Sequence, residues 1–203
     1  MQLFHYHLVT SKVRHVEARY VGKLGFELVA RHGRIADELT SFESGLSWEE
    51  LDRRGFRLRV TELERGAVNV VVQPGQWDTP RVDHLGIALD DDQFADAIIR
   101  ASELELRVQE HGGRRTFVAT KAGYRLELHP PRDWIDELLE HSDQLRIGEL
   151  HLRADDPVQK ARALAEALEL ESDGGDVAVG DSIVRFVPGG PTGRPELGSE
   201  LFL

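Results

Sequence analysis

The 203-residue sequence contains no cysteine. That absence excludes disulfides and thiolate metal sites, so a metal could be held only by histidine and carboxylate side chains. No apolar run approaches the roughly 20 residues that a helix needs to cross a bilayer. Positive charge is scarce: 25 lysines and arginines stand against 36 aspartates and glutamates, a formal net charge of −11. Nucleic acid and anionic membrane surfaces both select basic patches, so neither is an expected partner. No signal-peptide pattern follows Met1, and a soluble cytoplasmic protein is expected. Hydrophobic residues make up 40% of the chain, enough for one substantial core or two small domains.

What the sequence does contain is one pattern written three times. "HYHLVTSKVRHVEARYVGKLGFEL" reads strand, turn, helix, glycine, strand. Val13, Val16, Tyr20 and Leu24 fall at helical spacing, and Gly25 ends the helix. "HLGIALDDDQFADAIIRASELEL" repeats it, with Asp90 to Asp92 as cap and Phe94, Ala97, Ile98 and Ala101 as the apolar stripe. "ELHLRADDPVQKARALAEALELE" repeats it again behind the Asp156–Pro157 start signal. About three short strands follow each helix, and in the third copy "SELFL" is read as the last of them. The expected fold is therefore α+β, built from βαβββ units: 1–78 and 79–131, a linker helix in 132–145, and a degenerate third unit in 146–203. A short extra helix in "SWEELDRR" opens on Ser47 and Glu50, a capping-box pair.

"VDHLGIAL" places a histidine inside a strand. Alternation puts His84, Gly86 and Ala88 on one face, where the two small residues leave space for a ligand or for tight packing. "YRLEL" likewise puts Arg125, Glu127 and His129 on one face, and His5 and His7 share another.

In their order and spacing, "LFHYHLV…ARYVGKLGFEL", "VDHLGIAL" and "AGYRLEL" resemble the vicinal oxygen chelate superfamily, which includes glyoxalase I, extradiol dioxygenases and bleomycin-binding proteins. The resemblance covers about residues 3 to 130. It implies that the first two units pair into a cup-shaped mixed sheet with a divalent metal inside. Carried over position by position, the ligands would be His5, His84 and Glu127. Val71 falls where glyoxalase I has a fourth ligand, which favours the three-ligand pattern of the extradiol enzymes. Such a 2-His-1-carboxylate set leaves coordination positions open for a chelating substrate and O₂. A shift of the strand alignment would bring Asn69, Gln73, Glu62 or Glu64 to the cup. Phe117 and Lys121 stand where the dioxygenases carry a tyrosine and a proline, and His111 is a loose counterpart of their acid–base histidine.

The resemblance implies Fe(II) or Mn(II) as favoured cofactor, with Zn(II) or Ni(II) as alternatives. The substrate would be a small molecule chelating through adjacent oxygens, and a homodimer is the family habit. His7 and His111 are the candidate acid–base residues. Arg125, His129, Asn69 and Trp48 are the candidate substrate contacts, with Trp48 either a lid or an anchor for its own helix. Arg114 and Arg115 are read as an anion site or a solvated turn. A metal-free binding or resistance protein, a glyoxalase, isomerase or lyase, and a regulatory module working through the third unit stand as alternative functions.

Overall fold

In the computed structural model, which describes residues 1–43, 45–111, 115–140 and 145–203, strand β1 (Gln2–Thr10) runs through the middle of a mixed sheet. Its Tyr6 and Leu8 are fully buried, and the Tyr6 hydroxyl meets that of Tyr20 on helix α1 (Val13–Leu24) at 2.8 Å. His5 and His7 therefore point to the opposite face, away from the helix. Helix α1 stops at Gly25, whose φ of 71° is the left-handed conformation a helix end requires.

Strands β2 (Glu27–Ile35) and β3 (Glu38–Glu43) form a hairpin. Helix α2 (Trp48–Arg53) then opens on a complete Ser47–Glu50 capping box. Strands β4 (Arg57–Arg65) and β5 (Val68–Pro74) return the chain to the sheet, with β5 parallel to β1. The pattern recurs as β6 (Arg81–Ala88), α3 (Asp91–Glu103), β7 (Arg107–His111), β8 (Arg115–Ala119) and β9 (Arg125–His129), with β9 parallel to β6. Strands β1 and β6 are antiparallel neighbours, His7 opposite His84. The first and last strands of both units thus lie side by side, in the order β9, β6, β1, β5. Ile135, on helix α4 (Asp133–Glu140), packs against Phe4 and Ala88.

The third copy comprises β10 (Ile147–Ala154), α5 (Pro157–Leu168), β11 (Ser172–Asp173), β12 (Asp176–Val179), β13 (Ser182–Pro188) and β14 (Glu196–Phe202). Here the strand count differs from the sequence expectation. Gly174, with φ 59°, turns the chain inside "ESDGGD" and creates the two-residue β11 ahead of β12. It is β13 that closes the unit, parallel to β10. "SELFL" instead lies antiparallel to β10, in the relation that β6 has to β1.

The likeness extends to irregularities. In the β1–β6 ladder Phe4 and Asp83 are each one residue too many, and in the β10–β14 ladder Gly148 and Gly198 are. Such bulges bend a strand and re-aim the inserted side chain. Buried residues from all three units, among them Tyr6, Leu85, Leu152 and Leu164, share one hydrophobic cluster. The third unit packs on the helix side: Phe26, beyond α1, stacks on Phe202 at 5.4 Å, and the Tyr124 hydroxyl reaches the Lys160 carbonyl on α5. The opposite face of β1 and β6 stays open. Among the described residues, no helix is long and apolar enough to cross a membrane.

Candidate metal centre

The open face is a cavity of about 630 Å³, within the usual range for small-molecule sites. At its floor His5, His84 and Glu127 converge from β1, β6 and β9, with only 5%, 4% and 3% of their surfaces exposed. Their donor atoms form a tight triangle. His5 Nε2 lies 3.2 Å from His84 Nε2, and Glu127 Oε2 lies 3.0 Å from His84 Nε2 and 3.7 Å from His5 Nε2. Ligands sharing one octahedral ion at about 2.1 Å stand about 3 Å apart, so the spacing suits a single cation.

The neighbours fix the tautomers. Asn69 Nδ2 donates to Glu62 Oε1 at 2.8 Å and to Glu64 Oε1 at 2.9 Å. Two carboxylate acceptors hold the amide that way round, so Asn69 Oδ1 must accept from His5 Nδ1, at 2.6 Å. His84 Nδ1 is 2.9 Å from Asp83 Oδ2. A carboxylate held by arginines can only accept, so His84 Nδ1 is also a donor. The Nε2 atoms of both rings then face each other and Glu127. Two imidazole nitrogens and a carboxylate oxygen, all of them metal donors, thus converge within 3.7 Å of one another, which is the strongest sign that these residues fit a metal.

Electrostatics agree. Burial pushes the His5 pKa down to about 3, outweighing the pull of Glu127, so the ring is neutral at physiological pH. Burial would raise the Glu127 pKa, but His129 and the other imidazoles around the carboxylate overcome it and hold it well below its usual range. His7 is likewise driven to about 3 by burial, and its Nε2 donates to Gln73 Oε1 at 2.9 Å. His5, His7 and His84 also form a possible ligand set, with donor atoms within 4.8 Å of one another.

Gly86 sits between His5 and Glu127 in the sheet, paired to both. A Cβ there would lie 2.6 Å from His5 Cβ. The space beside His84 is thus filled by the His5 ring, the tight packing that was one of the two readings of these small residues. Gly86→Ala should displace His5, lower stability by about 1–3 kcal/mol and deplete bound metal; thermal melts and elemental analysis check this together.

Arg125 and His129 also line the cavity. The Arg125 guanidinium lies 4.7 Å over the Phe117 ring and pairs with Asp83, and His129 Nε2 is 3.5 Å from Glu127 Oε1. Val71 forms wall, Asn69 stands behind His5, and Arg115 Nε lies 3.5 Å from Glu127 Oε1. Trp48 is not part of the lining. Its Nε1 donates to Glu17 Oε1 at 2.9 Å, and Arg14 and Arg31 stack over its ring, so it anchors α2 instead of closing the cup. His111 ends β7 opposite Arg115, but its side chain, like Arg114, lies outside the described residues.

Sequence reasoning missed Asp83. Alternation assigns it to the face opposite His84, and only the bulge turns both to one side. In the third unit, register places Glu149 where His5 stands, His151 where His7 stands and Ser199 where His84 stands. There Glu149 Oε2 is 2.6 Å from His151 Nε2 and 3.1 Å from Arg185 Nη1, so these charges satisfy one another.

No protein-family model and no curated protein sequence matches the chain. Solved structures do. A Mn(II)-bound glyoxalase from Novosphingobium aromaticivorans matches with TM-score 0.57 at 11% identity, over 97% of this chain and 63% of that one. The halotolerant catechol dioxygenase BphC matches with TM-score 0.59 at 11% identity, over 95% and 67%. Homoprotocatechuate 2,3-dioxygenase from Brevibacterium fuscum matches with TM-score 0.54 at 14% identity, over 92% and 60%. The chain thus spans about two thirds of the length of these proteins, and the likeness is one of fold.

Proposed function

We propose that this chain, whose fold is that of the vicinal oxygen chelate superfamily, is a metal-dependent enzyme of extradiol-dioxygenase type acting on a small molecule with two adjacent oxygens. The observation that carries this reading is the convergence of three buried donor atoms, His5 Nε2, His84 Nε2 and Glu127 Oε2, within 3.7 Å of one another. These residues would hold Fe(II) or Mn(II). When bound, the metal supplies Lewis-acid activation of the chelating oxygens and a site for O₂.

The remaining work falls to the chain's own groups. Val71 offers no donor at the cavity wall, so the set stays at three ligands and leaves room for substrate. His7, anchored by Gln73, is placed to move a proton to or from a substrate oxygen. Arg125, already stacked on Phe117, would orient an anionic substrate oxygen, with His129 beside it. Phe4, Phe117 and Val71 give the cavity its apolar walls and exclude water from the bound ring.

Phe117 also favours a second reading. Its ring lies 5.1 Å from that of His84 and has no hydroxyl, so among the described residues proton transfer rests on His7. Isomerase or lyase chemistry with Zn(II) or Ni(II) asks less of that position.

Elemental analysis of untagged protein, purified without chelator, tests the proposal. Near-stoichiometric iron or manganese, with oxygen uptake on adding catechols, is the expected result. Zinc or nickel without oxygen uptake would favour the second reading. Failure to take up any of these ions would overturn both and leave a metal-free binding protein. His7→Ala should keep its metal while turnover falls about 10²- to 10⁴-fold; single-turnover kinetics on the loaded variant will separate the two effects.

A further inference from the structure

The third unit reaches the metal centre through one side chain. Arg194 lies in the segment between β13 and β14, and its Nη2 is 2.6 Å from Asp83 Oδ1. Asp83 is 4% exposed and turns its other oxygen, Oδ2, to His84 Nδ1 at 2.9 Å, where Arg125 also pairs with it.

The segment carrying Arg194 is itself pinned. Lys160, buried on α5, donates from Nζ to the Gly193 carbonyl at 2.8 Å and to the Ala122 carbonyl. Gly123 and Gly193 approach so closely that a Cβ on Gly123 would meet the Gly193 carbonyl carbon at 2.6 Å. The Pro195 carbonyl accepts from Val82 N, and Leu197 N donates to the Pro80 carbonyl, both at 2.9 Å. The strap is therefore fastened on both sides of Arg194, next to the strand that carries His84.

We propose that the third unit is a working part of the metal centre: Arg194 fixes the Asp83 carboxylate, and Asp83 positions His84 by accepting from its Nδ1–H. The inference rests on the reading that His84 binds metal through Nε2. Asp83 is a bulge residue, held in place by its charge partners rather than by regular pairing. With Arg194 gone, Oδ1 is left buried without its cation and the carboxylate swings toward Arg125, away from the His84 ring. Groups that hold a metal-binding histidine from behind typically contribute about 10- to 100-fold in metal affinity.

The test is Mn(II) titration of apoprotein by calorimetry, for the wild type and for Asp83→Asn, Arg194→Ala and Arg194→Lys. Asp83→Asn should lose about 10- to 100-fold in affinity. Arg194→Ala should lose up to about tenfold, and Arg194→Lys should recover part of it. Without metal, Arg194→Ala should melt somewhat below the wild type, since Asp83 keeps only Arg125 as its cation, and its loss of affinity should persist at temperatures where the variant is fully folded, which a purely structural role would not allow. Should Asp83→Asn fail to fold, ¹⁵N NMR of the Zn(II)-loaded wild type decides: His84 should show a protonated Nδ1 and a metal-bound Nε2. Metal on His84 Nδ1, or unchanged affinity in the Arg194 variants of a protein that binds Mn(II), overturns the inference alone. A wild type that binds neither Mn(II) nor Zn(II) overturns the proposed function, and this inference with it.

Discussion

Glu127→Ala should lower Mn(II) affinity by more than about 100-fold, beyond the loss expected from removing a group that merely supports a ligand. Glu127 is the only anion in the triangle. His5 is neutral, and His84 faces it through Nε2. Without the carboxylate, two uncharged imidazoles would have to hold a divalent ion in a buried site. Glu127→Gln should fail nearly as badly, because it keeps the shape and removes the charge. Neither change removes core packing, so circular dichroism should show the native fold. Calorimetric titration or the spin-resonance signal of free Mn(II) measures the loss. Unchanged affinity would shift the ligand set to His5, His7 and His84, whose donors also cluster, and His7→Ala would then be the variant that loses metal.

The largest expected loss of stability lies elsewhere, at Glu17. Its carboxylate is buried on α1 and takes both Arg31 Nε and Nη2, at 2.9 and 2.6 Å. It also accepts from Trp48 Nε1 and from the Thr61 hydroxyl, each at 2.9 Å. Arg31 Nη1 in turn donates to the Leu46 carbonyl at 2.6 Å. One carboxylate thus ties α1, β2, β4 and α2 together. Glu17→Ala would strand a buried guanidinium and should cost about 3–5 kcal/mol. For a chain of this length that is a fall in Tm on the order of 10 °C. Replacing both partners, as in Glu17→Leu with Arg31→Met, should recover most of it, since the penalty comes from the unpaired charge. A thermal melt in which Glu17→Ala shifts Tm by less than about 2 °C would refute this account.

These two sites mark how far the sequence could be read. The helices, their caps at Ser47, Asp90 and Asp156, and the threefold unit were legible because periodicity and capping chemistry are local. His5, His84 and Glu127 could be nominated because alternation gives each strand residue a face, and the resemblance says which strands meet. Asp83 was beyond that logic, since a bulge reverses alternation for one residue and nothing in "VDHLG" announces it. Trp48 was undecided because its partners, Glu17 and Arg31, lie far away in sequence. Gly86 was seen as space, but what filled the space depended on the register between two strands. "SELFL" was recognisable as a strand, while its neighbour was not: pairing is set by the whole sheet, not by the segment.

The paired irregularities at Phe4 and Asp83, and again at Gly148 and Gly198, give two strand pairs the same bend. A one-residue slip turns every side chain beyond it to the other face, so such defects cannot drift along a strand by small steps. The two strand pairs share both positions, yet Glu149 and Ser199 occupy the places that His5 and His84 hold in the first pair. One mould of main chain is thus cast twice in the molecule, and the side chains set into it decide whether it holds donors for an ion or charges that satisfy one another.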